Sequence, residues 1–328
     1  MDVTIAVVTY NAAEYLKNCL DSILRQESHN GRTEILVVDG CSSDRTQEIA
    51  HSFGSRVRLI ENPKRTIAAN RNVALREASF AFIAFTDADC VVPQNWLFLL
   101  VSAFNRLAQK NSCLAAVGGG NQPPESLSPV SIALDSFLGS LGSVQGMASG
   151  KERPVFSLAN LNVLYSKAAL ESVGGYDGSL ANLCEDTDLN YRLIKSGWKL
   201  YFIPGVIVTH YAKVDFVSWC RKMYLYGVGR AIIIYKHRSF FNSGYLLASF
   251  FLPVLLISGL IGLFWPWALL VWLYFPFIIC AGFVLAFKKS SLAGLSVGIV
   301  LLGTHIFYAL GLWRGVCVII LQHEIAKG

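Results

Sequence analysis

The sequence predicts an α/β fold, an open and mostly parallel sheet with helices on both faces, joined to carboxyl-terminal transmembrane helices. Three observations lead there. Short apolar runs alternate with helix-patterned stretches between Val3 and Thr86, and short right-handed crossovers turn that rhythm into a parallel sheet covered on both sides. The runs give way to polar side chains at Thr9, Asn11, Asp39 and Asp87, where sheets of this kind present strand ends to ligands. Residues 245–264, 267–287 and 292–312 are predominantly apolar, each about the 20 residues needed to cross a bilayer as a helix.

Val3-Thr4-Ile5-Ala6-Val7-Val8 reads as a buried parallel strand. Thr9-Tyr10-Asn11 leaves it, and Asn11 suits the cap of a helix with Leu16, Leu20, Ile23 and Leu24 on one face. Residues 34–38 make a second strand ending in Asp39-Gly40-Cys41-Ser42-Ser43-Asp44, with Asp44 placed to cap a helix over 46–53. A strand over 57–60 and a helix over 67–78 carrying Arg71 and Arg76 lead to Phe82-Ile83-Ala84-Phe85, which stops at Thr86-Asp87-Ala88-Asp89-Cys90. Alternate strand residues share a face, so Asp87 and Asp89 can aim hard oxygen donors at one point, which suits Mg2+ or Mn2+ bridging a diphosphate. A solvated turn with a helix-capping aspartate reads as well from the triplet alone.

Composition narrows the field. The chain has 328 residues, 53% of them hydrophobic, and a net charge of +6. No dense Lys/Arg tract points to nucleic acid, whereas basic residues near the apolar runs suit anionic headgroups. The eight cysteines are scattered without metal-type spacing, as packing residues in a reducing compartment are. Met1 leads straight into the first strand without a basic start or cleavage site, so the soluble part is expected in the cytoplasm. The chain has neither a Gly-x-Gly-x-x-Gly after the first strand nor a Walker lysine, which excludes dinucleotide and P-loop readings.

Val7-Val8-Thr9-Tyr10-Asn11, the stretch from Val37 through Asp39 to Thr46, Ala68-Ala69-Asn70-Arg71-Asn72 and Thr86-Asp87-Ala88-Asp89 follow one another in order. They resemble the successive signatures of glycosyltransferase family 2, whose fold is called GT-A. The resemblance implies a nucleotide-diphosphate sugar, UDP- or GDP-linked, as donor. It implies that Thr9, Tyr10, Asp39 and Arg71 hold base and ribose, with Asn11 beside them, that Asp87 bridges nucleotide and metal, and that Asp89 ligates Mn2+ or Mg2+. Read without it, Arg71 is a solvated helix charge.

Further on, prolines at 123, 124 and 129 and the Gly/Ser-rich 139–150 stretch suggest a lid or a plain connection. A strand over 157–165 and the turn Gly174-Gly175-Tyr176-Asp177 precede a helix opening with Glu185, Asp186 and Asp188. Acids favour a helix N-terminus by themselves; alternatively one of them takes the acceptor hydroxyl's proton. The same family has a Glu-Asp pair after such a turn, which ranks Asp186 first and Glu185 second as base, with Asp188 a cap or the partner of Arg192. Two short strands are expected over 198–204 and 206–210, the latter ending in His210. That histidine reads as structural by itself, and in related transferases one at this place completes the metal site or contacts the diphosphate.

Residues 215–235 mix aromatic, aliphatic and basic side chains, as a helix on headgroups does. Arg221 and Arg230 fit that role or contact with the phosphate of a lipid-linked acceptor, and residues 226–230 resemble a stretch in membrane-anchored family members that build exopolysaccharide of the succinoglycan type. Basic residues at 236–238 and 288–289 place those loops inside. The expected organisation is a cytoplasmic catalytic domain over 1–214, an interface segment over 215–243 and a multi-pass cell-membrane domain over 244–328. His305 and Arg314 lie in or near the last apolar run, where ionisable groups are uncommon.

The resulting expectation is a membrane-anchored, metal-dependent inverting glycosyltransferase, a hexosyltransferase acting on a hydroxyl of a polyprenyl-linked glycan. The alternatives are a polyprenyl- or dolichyl-phosphate sugar synthase, whose acceptor phosphate needs no base, and a catalytically silent nucleotide-sugar-binding scaffold.

Overall fold

The computed structural model describes residues 1–124, 151–180, 182–211, 215–240, 243–288 and 295–325, so the expected loop over 139–150 lies outside the described residues. They belong to two compact units, one up to residue 211 and one from residue 215 on.

The first unit is built on a nine-stranded sheet. Strand β1 (Val3–Thr9) is buried at all seven positions, because it lies between β2 (Thr33–Asp39) and β4 (Phe82–Asp87), parallel to both, with β3 (Arg58–Glu61) outside β2. Helices α1 (Leu16–Leu24), α2 (Thr46–Ser52) and α3 (Ile67–Glu77) make the crossovers. Side chains alternate along a strand, so β1 sends Val3, Ile5 and Val7 into one core with Leu16, Leu20, Ile23, Trp96 and Leu100. It sends Ala6 into another with Ala68, Ala74 and, from farther along the chain, Leu189 and Leu193.

Beyond β4 the pairing becomes mixed. The full order is β3-β2-β1-β4-β8-β6-β9-β5, with β7 (Arg153–Val155) on β9. Strand β8 (Val163–Ser166) runs antiparallel to β4 and to β6 (Leu114–Gln122), and β9 (Lys199–His210) is parallel to β6. The two-residue β5 (Cys90–Val91) caps the edge antiparallel to β9. Helices α4 (Trp96–Ala108), α5 (Lys167–Ser172) and α6 (Glu185–Lys195) complete the layers.

Several local expectations are corrected. Asn11 caps no helix: α1 starts only at Leu16, and Asn11 adopts φ 49° and ties β1 to the β2 exit loop instead. The strand expected over 157–165 is confined to β8 (Val163–Ser166), because Asn162, just before it, turns inward to satisfy buried backbone, while Asn160 accepts from the Tyr165 and Tyr176 hydroxyls at 3.1 Å. Asn162, fully buried, donates from Nδ2 to the carbonyls of Gly120 (2.7 Å) and Val206 (2.9 Å) and accepts from Trp96 Nε1 at 2.8 Å. The two strands expected around Pro204 are one. Gly205 takes φ 82°, and the β6–β9 register shifts between Gly118 and Gly120, where a Cβ on Gly119 would meet the Val206 carbonyl oxygen at 1.9 Å.

Asn162→Ala would leave Trp96 Nε1 and two carbonyls unpaired in the core. At about 1–3 kcal/mol for each of the three orphaned groups and about 2–4 °C per kcal/mol, thermal unfolding of the whole chain in detergent should start at least about 6 °C lower. An unchanged midpoint would show that the brace is dispensable.

In the second unit α7 (Phe216–Lys236) runs parallel to α10 (Leu295–Ile325) and packs closely on it. Trp219 Nε1 donates to Thr304 Oγ1 at 2.8 Å. A Cβ on Gly227 would lie 2.2 Å from the Tyr308 carbonyl oxygen, and one on Gly311 2.0 Å from that of Tyr224, so these glycines set the close approach. Among the described residues one helix is long and apolar enough to cross a membrane, Gly298–Ile320 within α10. The first expected span is α8 (Ser243–Gly262), while the second divides into a 3-10 turn, Pro266–Leu273, and α9 (Tyr274–Lys288). His305 pairs through Nδ1 with the Tyr274 hydroxyl.

Candidate active site

The sheet delivers four polar strand ends to one side. At the β1 exit, Thr9 is buried and its Oγ1 has no hydrogen-bond partner among the described residues, while Tyr10 is 51% exposed. Asn11 accepts from the Ser43 amide at 2.8 Å, and its own amide donates to Ser42 Oγ at 2.8 Å. This latch joins the β1 exit to the β2 exit. Asp44 also serves it, accepting from the Ala13 amide at 3.1 Å and from the Thr46 amide at 3.0 Å one residue outside the helix cap.

Asp39, fully buried, turns into its own loop. Its carboxylate accepts from the Ser42 amide (2.8 Å), the Ser42 hydroxyl and Gln47 Nε2 (2.7 Å). It is not among the residues lining the neighbouring cavity.

Arg71 is no solvated helix charge. Its side chain is 5% exposed and holds two carboxylates from distant parts of the chain, Glu185 at 2.6 Å and Asp87 at 3.2 Å, with its guanidinium 5.7 Å from the Tyr176 ring centroid. Asn72 fixes Tyr176 by accepting from its amide at 2.8 Å and donating to its carbonyl at 2.7 Å. Burial works to discharge Arg71, but Asp87 and Glu185 outweigh it and hold its pKa above the ordinary value. Burial raises Asp87, with Arg71 opposing and neighbouring Asp89 adding to the rise. Glu185 is raised by burial in the same way, against the pull of Arg71.

Asp89 follows Asp87 out of the sheet. Pairing of β5 with β9 sets Cys90 opposite His210, which brings His210 Nε2 within 3.2 Å of Asp89 Oδ2. The ligating atoms of Asp89, Cys90 and His210 lie within 4.8 Å of one another. This group fits a divalent ion through carboxylate and imidazole, the donors Mn2+ accepts. Cys90 fits less well, because burial foremost, then Asp87 and Asp89, keeps its thiol protonated, and a thiol ligates as thiolate.

Glu185 and Asp186 open α6 after Cys184, which takes φ 56°. Asp186 is half-buried, and its Oδ1 accepts from the Thr187 amide at 2.7 Å. Asp188 is fully buried and pairs with Arg192 at 2.7 Å, a structural clamp.

A cavity of about 420 Å3 gathers Thr9, Tyr10, Asn11, Asp87 and Asp89 in its lining. Arg71 and Glu185 stand behind Asp87, and His210 stands beside Asp89. Arg221 and Arg230 belong to α7 in the second unit, the latter 5.0 Å from the Phe240 ring centroid. The lining also includes Tyr15, Arg65, Ile67, Asn70 and Asn182, which sequence reasoning missed. The sequence signal for Ile67 and Asn70 is the helix-capping Thr66, which accepts from the Ala69 amide and sets both in the first turn of α3; Asn182 is brought to Ile67 only by the fold, accepting from its amide at 2.7 Å.

The family model "Glycosyl transferase family 2" matches residues 4–127, and "Glycosyl transferase family group 2" matches residues 82–286. The chain is 24% identical over 320 residues, 95% of its length and 96% of the relative's, to a dolichyl N-acetyl-alpha-D-glucosaminyl phosphate 3-beta-D-2,3-diacetamido-2,3-dideoxy-beta-D-glucuronosyltransferase of Methanococcus voltae. It is 27% identical over 240 residues, 72% of the chain and 71% of the relative, to the succinoglycan biosynthesis protein ExoA of Rhizobium meliloti. Among solved structures, the mannosyltransferase PcManGT from Pyrobaculum calidifontis in complex with GDP-Man and Mn2+ superposes with a TM-score of 0.58 at 19% identity, covering 96% of this chain and 86% of that one. At that identity the likeness is one of fold, and the fold is GT-A.

Proposed function

Because this chain belongs to glycosyl transferase family group 2, we propose that it is a membrane-anchored, inverting glycosyltransferase carrying a sugar from a nucleotide-diphosphate donor to a hydroxyl of a polyprenyl-linked glycan. The observation that carries this reading is the double ion pair of Arg71, which joins Asp87 at the donor-side strand exit to Glu185 at the start of α6. Donor and acceptor chemistry then meet at one centre.

The donor's nucleotide would lie in the 420 Å3 cavity, where the unpaired Thr9 Oγ1 offers a buried polar contact. Asp89 and His210 would hold Mn2+ or Mg2+, which supplies positive charge against the departing diphosphate. Asp186 is the base: Thr187 fixes Oδ1, and Oδ2 takes the acceptor hydroxyl's proton as that oxygen attacks the sugar from the side opposite the diphosphate. Glu185, pinned by Arg71 and buried, positions the centre. Asp39 acts through the loop it organises. The acceptor class is supported by the Methanococcus relative, named for a dolichyl-linked sugar phosphate.

The membrane end is read from exposed apolar side chains. Leu256, Leu260, Trp265 and Trp267 are 68%, 66%, 72% and 81% exposed, a surface that calls for lipid. We take α8, the 266–288 segment and α10 as spans, residues 1–214 as the cytoplasmic catalytic domain, and the exposed Arg221 of α7 as facing headgroups or the acceptor's phosphate.

Donor binding tests the metal arm. In the presence of UDP or GDP the wild-type chain should deplete the free Mn2+ signal in electron paramagnetic resonance, and His210→Ala or Asp89→Ala should weaken uptake at least about tenfold. Uptake unchanged in both variants would move the ion elsewhere.

A further inference from the structure

We propose that Tyr15 is a positioning residue for the metal ligands: through Tyr211 it keeps His210 beside Asp89. The inference rests on the metal reading above and adds to it two side chains that are not ligands. Little backbone holds His210 to Asp89. Strand β5 lies at the sheet edge and pairs only Cys90 with His210 and Val91 with Thr209, and so short a ladder is weak by itself. Two contacts extend it at Tyr211, the next residue. Its amide donates to the Asp89 carbonyl at 2.8 Å. Its ring meets that of Tyr15 with centroids 6.2 Å apart and planes tilted by 35°, within the range where aromatic rings attract.

Tyr15 offers a fixed support. It stands at the N-terminal end of α1, where its amide donates to the Ala12 carbonyl at 3.0 Å. The amides of Ala12 and Ala13 are themselves tied to the β2 exit, by Thr46 Oγ1 at 2.8 Å and Asp44 Oδ2 at 3.1 Å. One turn further along, Cys19 donates from Sγ to the Asp87 carbonyl at 3.5 Å. Residues four apart share a helix face, so α1 turns one face towards both halves of the Asp89–His210 pair. Cys19 meets the end of β4 that leads to Asp89, and Tyr15 meets the residue that follows His210. Tyr15 also lines the cavity, so ring support has to be separated from contact with the nucleotide.

The test uses the full chain in detergent and imidazole-free buffer with saturating UDP or GDP. Electron paramagnetic resonance reads Mn2+ uptake, and the spin echo of the bound ion reads an imidazole nitrogen, which among the proposed ligands only His210 supplies. Tyr15→Ala and Tyr211→Ala should each weaken uptake roughly three- to tenfold and reduce the nitrogen signal. Tyr15→Phe keeps the ring and should match wild type. The double alanine variant should be no worse than either single one, and Tyr15→Ala should add nothing to His210→Ala. Unchanged uptake, a nitrogen signal of wild-type strength in Tyr15→Ala, or a full further loss on top of His210→Ala would each overturn the proposal. So would a thermal midpoint lowered by about 10 °C or more in both alanine variants, which would mark a general loss of the fold. If wild type takes up no Mn2+, or shows no nitrogen signal, the metal reading itself fails and this inference falls with it.

Discussion

Arg71→Met should cost about 3–5 kcal/mol of stability, the loss expected when one partner of a buried ion pair is removed. The arginine is 5% exposed, and removing its charge strands the buried Glu185 and the partly buried Asp87. Urea unfolding would read the deficit as a lower midpoint. The deficit should also depend on pH. Glu185 already has a raised folded pKa, and without Arg71 it rises further, so the native state binds a proton that the unfolded chain releases near pH 4.3. With more protons on the native state, stability falls as pH rises through the folded pKa, and the variant should recover part of its deficit between pH 8 and pH 5. Adding Glu185→Gln to Arg71→Met should reduce that dependence to the share left by Asp87, which burial also raises and Arg71 opposes. A variant as stable as wild type at pH 8 would show that the charges are not buried together.

Much of the donor half was legible because strand and site coincide there. A buried β-branched run must end where polar groups reach solvent, so Thr9, Asp39 and Asp87 announce strand exits in the sequence. Which way each carboxylate turns is not written in that pattern. Asp39 is captured by Ser42 and Gln47, and Arg71 by a glutamate 114 positions away. The second half was harder to read for a related reason. Gly118-Gly119-Gly120 looks like a loop, yet it forms a buried part of β6 because Asn162 and the Val206 carbonyl press against it. Pro204 and Gly205 suggest a break, yet β9 runs through them by a register shift on β6. Apolar content alone likewise does not reveal that the 266–288 stretch changes from a 3-10 turn to an α-helix at Tyr274.

Asp186→Asn should lower the rate of sugar transfer by about 10²- to 10⁴-fold, the usual contribution of a positioned general base, while leaving donor affinity unchanged. The reason lies in how α6 begins. Glu185 and Asp186 are adjacent but differently engaged: Glu185 gives Oε1 to Arg71 at 2.6 Å, while Asp186 gives Oδ1 to the Thr187 amide and stays half-buried. Asparagine keeps that amide contact through its own oxygen, so the helix start survives and the change is confined to the group we propose as the base. Product formation on a lipid-linked sugar should therefore collapse, and nucleotide binding should hold. The same variant separates two acceptor chemistries. A lipid phosphate is largely ionised at neutral pH, its second pKa being near 6, and would still be glycosylated at full rate by Asp186→Asn. Retained activity on polyprenyl phosphate would reassign the enzyme to making a lipid-phosphate sugar and leave Asp186 as an N-terminal helix acid, stabilising α6 through its dipole.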